Sequence, residues 1–191
     1  LALSPDVVVM DKEENRAADA TALQAAGVPV YALHVTSVAD VGPALTGLAE
    51  RIGGPSRQLP EPPRVRGAAA EAGTPLTAFI PIWRRPWMSI NTETYGSSLL
   101  AAAGIANVFG DAKDRYPTIT LGQAAARRPA IVLAPSEPYP FRERHRAELE
   151  TVAPVVLVDG QDLFWWGART SGALSRLSEA VQGWRTLPPG A

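Results

Sequence analysis

The chain has 191 residues, 46% of them hydrophobic, enough for one or two domains with a sizeable core. A formal net charge of −1 excludes the strong positive field that nucleic acid or an anionic membrane requires, and the lack of cysteine excludes disulfides and thiolate metal sites. Two histidines, His34 and His145, are too few for a zinc site built from protein side chains alone, and no apolar run reaches membrane-spanning length.

In chain order, the first expected element is an apolar strand, Val7–Met10, followed by a charged turn, Asp11–Arg16. A helix to about Ala26 comes next, with Gly27 as its left-handed stop and Val28–Leu33 as the next strand. This is a β-α-β unit, which implies a parallel pair. Ser37 and Asp40 read as a capping box opening a helix whose apolar face is Val38, Val41, Leu45, Leu48 and Ile52, ended by Gly53-Gly54. Prolines at 55, 60, 62 and 63 then mark a linker, and a short Ala-rich helix is expected over about Arg64–Ala72.

The rest reads as strand, loop and helix three times over. Strand Ala78–Ile82 leads into the loop Trp83-Arg84-Arg85-Pro86-Trp87 and a helix over Thr94–Ala103, stopped by Gly104. A polar loop, Gly110–Pro117, separates it from a short helix that a Thr120/Gln123 capping box opens and that ends near Arg128. Strand Ala130–Ala134 leads into Pro135–Phe141 and a charged helix ending near Glu150. Strand Val155–Val158 leads through Asp159-Gly160 into a loop, Gln161–Gly167, and a last helix from Ser171 to about Trp184. Loops at the carboxyl ends of parallel strands are where open α/β sheets bind ligands.

Those loops and the helix after the first of them are rich in aromatic residues: Trp83, Trp87, Tyr95, Tyr139, Phe141, Phe164, Trp165 and Trp166. A tryptophan in a loop is best used where a flat apolar ligand or the core covers it, and the set as a whole favours a ligand platform. Arg84, Arg85 and Arg169 are the cations beside them, able to pair with carboxylates or stack on planar rings. Arg169 has a second reading, tying down Asp162 or Asp159. The acidic residues Glu13, Glu14, Glu137, Asp159 and Asp162 read first as turn residues and helix N-terminal charges, and second as docking points for a basic partner. No nucleophile triad, phosphate-cradling loop or metal motif accompanies them. His34 reads as a packed or capping residue and His145, among Arg142, Arg144 and Arg146, as a surface one.

The order of these pieces resembles the substrate-binding proteins of ABC importers for vitamin B12, ferric siderophores and haem, the class with a helical backbone between its lobes. The resemblance is carried by Ser4–Val9, Asp11–Arg16, Trp83–Trp87, Asn107-Val108-Phe109, Tyr116-Pro117, Ser136–Phe141, Asp159–Leu163 and Trp165–Arg169, and is greatest to a corrinoid-binding-like branch. It implies two three-layer α/β lobes with parallel sheets. Residues 1–54 would be the later portion of the first lobe, whose opening strands and helix are expected before Leu1. Residues 55–74 would be a linker and shortened or Pro-interrupted bridging helix, and 75–191 the second lobe.

The resemblance also implies a binding protein with no catalytic residues and no resident cofactor or metal. The ligand, a corrinoid or related metal chelate, would lie in the cleft between lobes against Trp83, Arg84, Arg85, Trp87, Tyr95, Tyr139, Asp162, Trp165, Trp166 and Arg169. Glu13, Glu14 and Glu137 would dock an ABC permease. A periplasmic or extracytoplasmic location is expected, and neither nucleic-acid binding nor a membrane span is. The alternatives are a ferric-siderophore or haem binder, a cytoplasmic binding protein of the same fold without a permease, and, behind these, an α/β enzyme using Glu137 and Asp159 or Asp162.

Overall fold

In the computed structural model, residues 3–54 and 74–187 are described. The Pro-rich linker, the helix expected over Arg64–Ala72 and the last four residues lie outside them. The chain forms two compact units, which among the described residues comprise 3–35 with 39–54, and 36–38 with 74–187.

In the first unit, strand β1 (Val8–Asp11), helix α1 (Ala17–Ala25), strand β2 (Val30–Leu33) and helix α2 (Val38–Arg51) follow the expected β-α-β-α order. β1 and β2 pair in parallel, Val8 opposite Val30 and Asp11 opposite Leu33. Gly27 closes α1 at φ +78°, a conformation that suits glycine because it has no Cβ. The small side chains of α1 leave it with no buried residue. α2 buries Val41, and Leu45 and Leu48 are partly covered. Ile52, expected on the same face, lies beyond the last helical residue and is 57% exposed.

The second unit is built on strands β3 (Leu76–Phe79), β5 (Ile105–Asn107), β7 (Ile131–Pro135) and β8 (Val155–Val158), in the order β5-β3-β7-β8. All neighbours are parallel. The first strand ends at Phe79, three residues before the expected boundary, because Ile82 N–H turns away to Met88 O at 2.9 Å. That turn pairs β4 (Trp87–Met88) with β6 (Thr118–Ile119) in a small antiparallel ladder. Neither of these two-residue strands was expected, nor was β5, which follows the expected helix stop at Gly104 in a stretch with no expected element.

Alternation along the strands sends side chains to both faces of the sheet. Phe79, Val132, Ala134 and Val155 share a core with Phe109, Ala124, Phe141 and Leu149. That layer includes α4 (Leu121–Ala126) and α5 (Arg146–Leu149), the latter entered through a 3-10 turn over Glu143–His145. The intervening residues Ala78, Ile80, Ile131 and Leu133 are at most 1% exposed and belong to the opposite face. There, α3 (Tyr95–Ala102), α6 (Gly160–Phe164) and α7 (Thr170–Trp184) pack on one another. Their fully buried residues include Leu99, Leu100, Leu163 and Leu174. Fully burying such side chains stabilises by about 1.5–3 kcal/mol each, so this double-sided core holds the strand-end loops.

Helix starts follow local chemistry. Thr120 and Gln123 form the expected reciprocal box on α4, at 3.1 and 2.8 Å. Thr94 caps α3 and Asp159 caps α6, the latter accepting Gln161 N–H at 3.0 Å. The helix α6 corrects the loop expected over Gln161–Gly167. Its five residues give too little periodicity to be seen in sequence, whereas the Asp159 cap and buried Leu163 are enough to close one turn.

Candidate functional site

The carboxyl ends of β3, β7 and β8 carry three loops on one edge of the sheet. The first is a tight hairpin. Ile82 N–H donates to Met88 O at 2.9 Å and Met88 N–H to Trp83 O at 3.2 Å, which leaves Arg84 and Arg85 at its tip. Arg85 has φ +71°, a left-handed conformation that costs a non-glycine residue about 1 kcal/mol. Its side chain is exposed and makes no hydrogen bond or ion pair with the described residues. Arg84 behaves differently. Its Nε–H donates to Glu148 Oε2 at 2.8 Å, and this bond is the main reason its pKa is raised.

Trp83 is 44% exposed and meets Tyr139 edge-on at 5.7 Å between ring centres. Tyr139 leans on Phe141 at 4.7 Å, and Trp87 stacks on Phe141 at 5.9 Å with the rings 6° from parallel. Four rings from two loops thus form one continuous cluster, anchored at buried Phe141 and open at Trp83. His145 closes its inner side. Expected at the surface, it is instead 5% exposed, because its ring packs against Tyr139 and Phe141. Its Nδ1 accepts Arg142 N–H at 3.1 Å. Burial lowers its pKa, with Arg144, Arg84 and Arg142 adding to the effect and Glu148 opposing it.

The third loop holds the second exposed indole. Trp165 is 52% exposed and its Nε1–H donates to Glu137 Oε2 at 2.9 Å. The two loops are stitched beside this bond: Ser136 N–H donates to Val158 O at 3.0 Å, and Gly160 N–H to Ser136 Oγ at 2.9 Å. Gly160 is required there, since a Cβ would sit 2.4 Å from Glu137 N. Trp166, beside Trp165, is half-buried.

The remaining expected ligand residues have internal partners. Tyr95 is 6% exposed, its hydroxyl 2.9 Å from Thr170 Oγ1, and burial pushes its phenol pKa up. Asp162 is 7% exposed and accepts Arg176 Nε–H at 2.8 Å and Arg169 Nη2–H at 3.0 Å. Its pKa is lowered first by the Arg176 bond, with burial opposing and Arg169 assisting. Arg169 also reaches Asp159 at 3.3 Å, so it ties both carboxylates, the second of its two sequence readings. Sequence reasoning missed Glu148, Arg176 and Thr170, the partners that give Arg84, Asp162 and Tyr95 these roles. They sit 64, 14 and 75 positions away, so no local spacing announces them.

In the first unit, Glu13 lies 3.4 Å from His34, and Glu14 is exposed. A concavity of about 360 Å³ at the carboxyl end of β1 is lined by Met10, Lys12, Arg16, Ala17, Ala20 and Ala32, among others. Among the described residues no group of three or more acidic or histidine side chains is placed to hold a metal ion, and no helix is long and apolar enough to cross a membrane.

The backbone matches solved structures over nearly its whole length. The chain is similar to the periplasmic vitamin B12 binding protein BtuF of Vibrio cholerae, with a TM-score of 0.73 and 14% identity over 97% of this chain and 77% of that one. It is similar to a periplasmic heme binding protein from Pseudomonas aeruginosa, with a TM-score of 0.77 and 21% identity over 100% and 76%. For the periplasmic heme-binding protein RhuT from Roseiflexus sp. RS-1, in apo form, the TM-score is 0.71 and the identity 20% over 96% and 78%. The fold is that of the periplasmic solute-binding proteins. No family model and no curated protein matches the sequence. At these identities the likeness lies in backbone and topology, and the solute-binding fold is thus reached here with few of the same side chains.

Proposed function

We propose that this chain is the solute-binding protein of an ABC importer, and that it captures a flat metal-chelate ligand, a corrinoid first, for delivery to a permease. The observation that carries this reading is the pair of half-exposed indoles, Trp83 and Trp165, held at the carboxyl edge of the parallel sheet. Two large rings kept in water lose apolar burial that the fold could have used, and a planar apolar ligand recovers it. Neighbours of the same fold bind vitamin B12 and heme, which supports the ligand class. Trp83, Trp165, Tyr139 and Arg85 form the proposed contact set, with Arg84, Trp87 and Trp166 beside them. Tyr95, Asp162 and Arg169 stand behind the set as its supports. Glu14 and Glu13 are the proposed permease-docking residues of the first unit, and the site is non-catalytic.

Arg85 favours a second reading, an anionic chelate such as haem or a ferric siderophore, because a cation without a carboxylate partner among the described residues is available to ligand acids. Titration of tryptophan fluorescence with cyanocobalamin, haemin and a ferric siderophore separates the two. Quenching by cyanocobalamin that survives Arg85→Ala supports the corrinoid. Preference for haemin that Arg85→Ala abolishes supports the anionic chelate. A chain that none of the three quenches at micromolar concentration sinks the binding-protein reading.

A further inference from the structure

An indole that is 52% exposed ordinarily samples several rotamers, because little packs against it. Trp165 has a partner that restrains it, the Glu137 carboxylate at 2.9 Å from Nε1. A hydrogen bond to an ionised acceptor is shorter and stronger than one between neutral groups. The backbone that carries this carboxylate is held to the neighbouring loop. Ser136 is bound to Val158 and Gly160, and Gly160 approaches Glu137 so closely that no side chain fits between them. The acceptor therefore hangs from a backbone tied to the next loop just past β7, and through it the exposed ring is tied to the same place.

We propose that Glu137 is a positioning residue of the ligand face: it holds the Trp165 ring at one tilt before ligand arrives. This rests on the reading of Trp165 as a ligand-facing ring. It gives Glu137 a role other than docking a basic partner, since its Oε2 is committed to the indole. Ordering a side chain in advance removes that cost from binding, so the clamp contributes about threefold to tenfold in affinity, chiefly through slower release.

The test uses the full chain and four variants: Glu137→Ala, Glu137→Gln, Trp165→Phe and the Glu137→Ala/Trp165→Phe double. The difference between wild type and Trp165→Phe isolates the Trp165 emission. Glu137→Ala is expected to lower the anisotropy of that emission and raise its quenching by acrylamide. Glu137→Gln, whose amide oxygen still accepts, is expected to retain most of both. Titrated with cyanocobalamin and haemin, Glu137→Ala should bind the preferred chelate about threefold to tenfold more weakly, and the double variant no more weakly than Trp165→Phe alone. An unchanged Trp165 signal in Glu137→Ala overturns the proposal, as do affinity losses that add in the double variant. If wild type binds neither chelate, the solute-binding reading fails, while the Trp165 signal still decides the clamp.

Discussion

The two exposed indoles of the carboxyl edge are held by different physics. Trp83 rests on other rings: Tyr139, then Phe141, with Trp87 stacked beyond. Trp165 hangs from a carboxylate and follows a short helix whose Asp162 is pinned by Arg169 and Arg176. The first support is dispersion and apolar burial, which ionic strength hardly touches. The second is a hydrogen bond to a carboxylate backed by charge pairing, which salt weakens. One edge therefore presents the same residue type at two stiffnesses that respond to different conditions.

The largest test of that contrast is Phe141→Ala. Removing a ring that is 4% exposed is expected to cost about 3–5 kcal/mol of stability by urea unfolding. The Trp83 emission should shift to longer wavelength, while the Trp165 anisotropy stays as it was. If both signals move together, the two halves are one cooperative structure and the contrast fails.

Asp162→Asn should do the reverse. It leaves two arginines facing a neutral amide, and because both are partly exposed the loss is about 2 kcal/mol, below that of a fully buried pair. The expected readout is a mobile Trp165 with Trp83 unaffected.

Acidification separates the halves without mutation. Burial and the arginines nearby lower the His145 pKa, so neutral His145 contributes stability in full above its unfolded value of about 6.5, lost as pH falls through the folded value. The Arg176 and Arg169 bonds lower the Asp162 pKa, so its contribution is complete above about 3.9 and is lost as pH falls through its own, lower, folded value. On titration from neutrality the Trp83 side should loosen first and the Trp165 side later. The opposite order, read from the two tryptophan signals, would contradict this assignment.

The smallest effect is expected from Arg84→Ala. Its pair with Glu148 is 21% and 39% exposed, and solvent screening leaves such pairs only a small contribution to stability. A larger loss would mean that Arg84 supports the ring cluster by packing its stem as well as by charge.

Much of the frame was legible from local signals. The Thr120/Gln123 box, the glycines at 27 and 104, and the apolar run Val155–Val158 each announce themselves within a few residues. What was not legible was either too short or too distant. β4, β5 and β6 have two or three residues each and produce no period. The Trp87–Phe141 stack joins side chains 54 positions apart, and only the sheet order brings their loops together. Likewise, the Trp-rich composition pointed to a platform, but the ring of Tyr95 is turned inward to Thr170, and Arg84 and Asp162 are engaged by Glu148 and Arg176, residues with no motif of their own. His145 was misjudged for the same reason: its arginine neighbours in sequence signal a surface, while Tyr139 and Phe141 cover it in space.

Gly160 has a consequence that reaches past its own turn. With no more than a hydrogen where a methyl would sit 2.4 Å from Glu137 N, it sets the gauge between two loops, as a shim sets the gap between two plates. A thicker shim would push the carboxylate and the indole apart without altering either. Gly160→Ala is thus a lesion of the proposed ligand face written at a position that has no side chain of its own.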